Sequence, residues 1–210
     1  VANNPAATLL KASDRKKQIL DAALTAFAEH GYERTSIAII CEKAGIARPT
    51  LYQYFNDKRS LFRELLENYL LGIHDRIHAR QKAESENKNL SMRESLNSLH
   101  LELFEEISNN RDIYTILVKE ARARNAETED VTRDIMKMMI DRFVNAMETE
   151  LGEYGSNISD KEFAAVYMMG GTMHAVEYFL FDKIREMTTR EFADRITEIE
   201  SKIFGIEEKR

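Results

Sequence analysis

Five side chains between positions 48 and 54 carry the strongest chemical signal in this 210-residue chain: Arg48, Thr50, Tyr52, Gln53 and Tyr54. They offer a guanidinium fork that matches guanine edges, an amide that can pair with bases, and hydroxyls that can hold phosphate oxygens. Leu51 and Phe55, four residues apart, take the inward face of the same segment, which leaves the polar set largely outward. A second constellation is His74-Asp75-Arg76-Ile77-His78. Its two imidazoles, four apart, share one helix face at a spacing that can bind a divalent metal. The run approximates the H-E-x-x-H zinc-hydrolase pattern with Asp75 in place of Glu. Asp75 reaches less far, and spacing supplies no third ligand. Two exposed or cavity-lining histidines are therefore the simpler reading, and no metal site or cofactor is assigned. No glycine-rich phosphate loop, nucleophile elbow or CxxC pair is present.

The elements that must position Arg48 to Tyr54 are legible in Thr35 to Lys58, TSIAIICEKAGIARPTLYQYFNDK. Ile37, Ile40, Cys41 and Ala44 recur at helical spacing, with Thr35 or Ser36 as the N-cap. Gly45 stops this helix, since glycine takes the left-handed C-terminal conformation without steric cost. A second helix begins near Ala47 to Pro49, where proline forfeits no intrahelical hydrogen bond. Helix, glycine turn, helix is the geometry that seats a second helix in the DNA major groove.

The run AGIARPTLYQYFNDKRSLF closely resembles the DNA-binding segment of the TetR family of bacterial transcription regulators, and PTLY resembles that family's recognition helix. The resemblance covers Ser13 to Leu65 over several interlocking positions; beyond it, only the helical pattern and the length match. It implies that Arg48, Pro49 and Tyr52 meet base edges, Arg48 at guanine O6/N7 and the Pro49 ring at a thymine methyl. It implies that Ser36, Thr50, Gln53, Tyr54 and Lys58 hold phosphates or adjacent groups. Two positions depart from the family pattern. Ala38 stands where an arginine or polar residue is common, and Ala47 replaces the usual serine N-cap, which weakens the start of the recognition helix by about 1 kcal/mol. Cys41, where the family has a small residue, reads as a buried small hydrophobe rather than a redox sensor.

Composition agrees with a helical regulator. Only 8 Gly and 2 Pro interrupt the chain, and 43% of residues are hydrophobic, so the expected fold class is all-α. The net charge of −6 is unevenly spread. Residues 1–63 hold ten Lys/Arg against six Asp/Glu, leaving 20 against 30 for the remainder. A basic head on an acidic body suits a DNA partner. No run approaches the ~18 apolar residues of a membrane span. No secretory signal is evident, and a single cysteine excludes an internal disulfide, so the expected location is cytoplasmic.

Helical periodicity predicts nine helices, and the resemblance implies three parts: a flexible arm over 1–12, a helix-turn-helix domain over 13–57, and a ligand-binding and dimerisation domain over 58–210 whose first helix, 58–81, connects the two. Ser13 is the expected N-cap of the first helix and Gly31 its end. Capping boxes are expected at Ser91/Glu94, Ser159/Glu162 and Thr188/Glu191. Residues 163–181 are apolar nearly all round and so need cover on more than one side. The resemblance supplies that cover as a homodimer, built by pairing the last two helices with their copies and fitted to a palindromic double-stranded operator. Gly170-Gly171 would admit another backbone or a ligand. The resemblance also implies a pocket for a largely apolar small-molecule effector, with candidate linings Ile73, Ile77, Leu99, Leu103, Ile116, Leu117, Ile135, Met139, Phe143, Tyr167 and His174. The functional expectation is an effector-released repressor. The rival readings are a metal-dependent helical hydrolase using His74 and His78, and a helical protein-interaction module.

Overall fold

The computed structural model describes residues 12–72, 75, 77, 79, 90–123, 125–149, 151–182 and 184–206. Among them all regular structure is helical, in ten helices: α1 (Ala12–Arg34), α2 (Ile37–Ala44), α3 (Arg48–Leu51), α4 (Lys58–Leu66), α5 (Met92–Asn109), α6 (Arg111–Ala123), α7 (Glu129–Thr149), α8 (Glu153–Ser156), α9 (Lys161–Ala175) and α10 (Thr189–Phe204). Residues 1–11 of the expected arm, most of the tail of the expected connector helix, Ile73, His74 and His78 lie outside the described residues, while Ala12 already belongs to α1. The additional helix is α8, where sequence suggested only a turn bracketed by Gly152 and Gly155. It lies so close to α7 that a Cβ on Gly155 would run into the Met147 carbonyl.

Most expected helix boundaries coincide with a satisfied cap. Ser36 Oγ accepts the Ile39 N–H, and Gly45 closes α2 at φ 62°. Asp57 and Ser60 form a reciprocal box at α4, as do Ser91 and Glu94 at α5 and Thr188 and Glu191 at α10. The hydrogen bond from the Ser60 amide, helped by the Ser60 hydroxyl, holds the Asp57 carboxyl below its ordinary range. Two expectations are corrected. Ser13 falls inside α1. The α9 cap is Asp160, whose carboxylate accepts the Phe163 N–H at 2.9 Å, rather than Ser159. Asp160 is the residue just before the first helical position, which is where an N-cap oxygen reaches the orphan donors.

Two helices change winding midway. α4 continues as a π-helical turn over Glu67–Leu71, and α9 over Val176–Phe181. Such wide turns displace one carbonyl from its usual partner, and the Tyr114 hydroxyl of α6 donates to Met173 O at 3.1 Å, just before the second of them.

Three apolar clusters hold the chain together. The first contains Ile19, Phe27, Tyr32, Ile40, Leu51 and Phe55 of the head, together with Leu61, Phe62, Leu65 and Leu66 of α4 and Ile113, Ile116, Leu117, Val131 and Ile135 of α6 and α7. Apolar packing therefore runs continuously across the 57/58 boundary. The second joins α5, α6, the π segment of α9, and α10 through Phe104, Tyr114, Phe181 and Phe192. The third joins α5, α7 and α9 to the end of α10 through Leu96, Met147, Met168 and Phe204. A buried polar patch also ties α5 to α10. There His100 Nδ1 stands 2.8 Å from Thr197 Oγ1 and Nε2 3.0 Å from the Glu200 carboxylate.

Candidate nucleic-acid interface

The recognition segment is shorter as regular helix than its sequence suggests. α3 spans four residues, and the chain then tightens: Gln53 N–H donates to Thr50 O at 3.3 Å and Tyr54 N–H to Leu51 O at 2.9 Å, before Phe55 N–H returns to Leu51 O at 3.0 Å. Leu51 and Phe55 are buried in the first cluster and anchor the segment from within. Arg48, Pro49, Tyr52 and Gln53 are exposed on the outer side, Tyr52 at 52%. Thr50 and Tyr54 are half-buried at its edge. Ala47 is the N-cap residue and makes no side-chain cap, as its identity dictates. Its backbone is already extended at φ −78°, ψ 149°. Ala47→Ser should therefore add a cap without backbone rearrangement and stabilise the chain by about 1 kcal/mol. A rise of about 2–4 °C in melting temperature would register it; an unchanged melting temperature would show that the N-terminus of α3 does not limit stability.

Ser36 sits one element earlier and is exposed. Its oxygen accepts the Ile39 N–H at 3.3 Å, which uses a lone pair and leaves the hydroxyl hydrogen available to an outside acceptor. Ala38 is half-buried on α2 and presents only a methyl group where a donor could have stood. Cys41 is buried below, and burial pushes its thiol up, away from the reactive thiolate.

The cations of the head are largely committed to their own carboxylates. Lys16 pairs with Glu64 at 2.5 Å, Lys17 with Asp21 at 2.7 Å, Lys43 with Glu29 at 2.8 Å and Arg63 with Asp134 at 2.9 Å, while Arg59 meets Asp130. The hydrogen bond from Lys43 holds the Glu29 carboxyl below its ordinary range. The Arg48 carbonyl accepts the Tyr52 N–H at 3.1 Å, but the Arg48 guanidinium makes no ion pair or hydrogen bond with a described residue. It is exposed at the start of α3.

Lys58, expected at a phosphate, has partners within the chain. Its ammonium donates to Tyr32 O at 3.0 Å, lies 4.0 Å from the centroid of the Tyr32 ring, and faces Glu127 at 4.0 Å. Its side chain is only 20% exposed. An ammonium so placed ties the start of α4 to the end of α1. Lys58→Ala should cost about 2 kcal/mol of stability through the lost charged hydrogen bond and ring contact. The dependence of DNA affinity on salt should stay unchanged; a slope lower by about 1 would restore the phosphate role.

The effector candidates do not converge on one described cavity. Ile116, Leu117, Ile135 and Met139 belong to the first apolar cluster, Leu103 to the second, and Leu99 and Phe143 to the third, while Ile77 is buried. Tyr167 is 70% exposed and the His174 side chain 76% exposed, so both project from α9 to the outside of the chain rather than into its interior. Surface grooves of about 680 and 330 Å³, beside α1–α2 and beside the start of α10, are lined by other residues. Among the described residues no three His, Cys, Asp or Glu side chains converge as a metal site, and no helix is long and apolar enough to cross a membrane.

Sequence reading missed the junction beneath the head. Glu120 and Thr128 are buried there, and Glu120 Oε1 accepts the Tyr32 N–H at 3.2 Å. The available signal was a carboxylate at the helical spacing of Ile113, Ile116 and Leu117, on an otherwise apolar face.

Comparison with known proteins places this geometry. Residues 19–65 match the family model for bacterial regulatory proteins of the tetR family. The chain is 43% identical over 65 residues to the HTH-type transcriptional repressor ComR of Escherichia coli, a match that spans 31% of this chain and 29% of ComR. It is 26% identical over 185 residues to the HTH-type transcriptional regulator YdgC of Bacillus subtilis, covering 84% of this chain and 86% of that protein. Its fold matches the crystal structure of the transcriptional regulator FadR from Bacillus subtilis in complex with stearoyl-CoA, with a TM-score of 0.66 at 21% identity over 87% of this chain and 96% of that one.

Proposed function

Because this chain belongs to the TetR family of bacterial regulatory proteins, we propose that it is a cytoplasmic homodimeric repressor that reads a palindromic operator and leaves it when a small, largely apolar effector binds. The observation that carries the reading is the outer face of α3 and the turn after it. Arg48 stands there without an ion-pair partner among the described residues, flanked by Pro49, Tyr52 and Gln53, on a segment locked from below by Leu51 and Phe55. Arg48, Pro49 and Tyr52 are assigned to base edges. Ser36, Thr50, Gln53 and Tyr54 are assigned to phosphates and adjacent groups, where hydroxyls and amides fix register without reading sequence.

The homodimer is supported by an apolar face that the single chain leaves open. Phe163, Val166 and Tyr167 of α9 are 69%, 50% and 70% exposed, and Ile199 of α10 is 56% exposed. A Cβ at Gly170 or Gly171 would meet nothing within 4 Å, which leaves room for a second backbone. Large apolar side chains grouped this way mark an interaction surface. In this reading Tyr167 and His174 belong to the subunit interface. The effector cavity would then open among Ile77, Leu99, Leu103, Ile116, Leu117, Ile135, Met139 and Phe143, where three apolar clusters meet. The stearoyl-CoA bound by the Bacillus subtilis regulator of the same fold supports an apolar effector class. To move the operator from 99% occupied to 99% free, the effector must favour the released arrangement by about 10⁴-fold.

Selection of binding sites from random duplexes with the purified chain tests this function. Enrichment of a palindrome, lost on adding the effector, is the expected result. Recovery of unselected sequences would refute operator reading.

A further inference from the structure

We infer that Glu120, a body residue remote from the DNA face, is a positioning residue for that face: its carboxylate on the Tyr32 N–H is the grip by which α6 sets the angle of the head. This rests on the DNA-binding reading above. Glu120 is 8% exposed. Its Oε1 accepts the Tyr32 N–H at 3.2 Å, and its Oε2 accepts the Thr128 hydroxyl at 3.3 Å. The grip falls on a bend. Gly31 breaks the geometry of α1 at φ 75°, ψ 168°, and a Cβ there would stand 4.0 Å from Glu120 Oε1. The carboxylate thus lies over the kink and takes a donor that points out of the helix.

Tyr32 is where the head's elements converge. Its carbonyl accepts from Lys58 Nζ at the start of α4 and from Thr35 N–H at 3.2 Å, next to the cap of α2. Its ring packs against Phe27 and Phe62. Whatever moves the Tyr32 peptide therefore moves the end of α1, the entry to α2 and the start of α4 together. α6 is also held on its other side. The Tyr114 hydroxyl is bonded to Met173 O, and the Arg122 guanidinium forks onto Glu177 at 3.0 and 2.5 Å, inside the π turn of α9. One helix thus joins the proposed subunit interface to the kink in α1, and Glu120 is its hydrogen-bonded end. A buried acceptor here has no substitute, since removing it leaves a buried N–H unpaired.

Two measurements on the full chain test the assignment. First, spin labels at exposed Glu42 on α2 and Arg133 on α7 report the head-to-body distance within one chain. Glu120→Ala should broaden that distribution, and Glu120→Gln, which keeps an acceptor, should restore the wild-type width. Thr128→Val, an isosteric change that frees the other carboxylate oxygen, should broaden it less and guards against a Glu120→Ala chain that fails to fold. Second, the selected operator is lengthened by two base pairs between its half-sites. Wild type should lose about tenfold or more in affinity, and Glu120→Ala less than about threefold, because a loosened head tolerates misplaced half-sites. A merely structural role would lower affinity equally on both operators. Unchanged distance distributions in folded Glu120→Ala and Thr128→Val would overturn the assignment. A wild-type chain that selects no operator would overturn the DNA-binding reading instead, and the distance measurement would still judge Glu120.

Discussion

Arg48→Ala is expected to weaken operator binding by about 1–3 kcal/mol and to relax sequence preference at one base pair of each half-site. The size follows from how a guanidinium reads DNA. Two parallel N–H donors meet guanine O6 and N7, a pattern no other base pair presents in the major groove. The head supports this assignment by subtraction, since Lys16, Lys17, Lys43, Arg59 and Arg63 are each held by a carboxylate of the same chain, and Arg15 and Arg34 donate to the Gln18 amide oxygen and the His30 carbonyl. Arg48 can bond DNA without first breaking an internal ion pair. Its replacement should also leave folding intact, because the exposed side chain makes no hydrogen bond to a described residue. Titrating wild type and variant against the selected operator and its single-base variants checks this. An equal loss on every sequence would reassign Arg48 from base reading to phosphate contact.

The second large effect is expected from the open face of α9. Phe163→Glu combined with Tyr167→Glu should convert a dimer into a folded monomer. Both side chains are about seven-tenths exposed in the single chain, so charge at these positions costs the isolated fold little. At a two-fold interface the same glutamates would face one another and lose their water. One head alone would be left with sequence-independent binding, on the order of 10⁻⁴–10⁻⁶ M, against the 10⁻⁸ M or tighter typical of specific complexes. The expected loss is therefore about 10²–10⁴-fold or more. Sedimentation reports the assembly and operator titration the affinity. A variant that stays dimeric would move the interface away from this face.

How much of this was legible beforehand differs from element to element. The head was legible because its instructions are local: Ser36 and Gly45 cap α2 by their own chemistry, and Leu51 and Phe55 alternate with the polar face by helical period alone. Caps written as a residue pair three apart were legible at Ser91/Glu94 and Thr188/Glu191 for the same reason. At α9, two adjacent residues could both cap, and one position separates Ser159 from Asp160. The internal partners of Lys58, the carbonyl and ring of Tyr32, were not legible because they are 26 positions away. Glu120 was missed because its partner is 88 positions away, and a backbone N–H leaves no trace in residue type. The placement of Tyr167 and His174 shows a related limit. Helical period identifies an apolar face but does not say whether the same chain or a second copy covers it.

Footprinting with hydroxyl radicals on the selected operator tests the central claim most directly. The account predicts two protected half-sites related by a two-fold axis, with centres about one helical turn or a multiple apart, and two chains per operator. Protection of a single half-site, or none that follows the sequence, would contradict it.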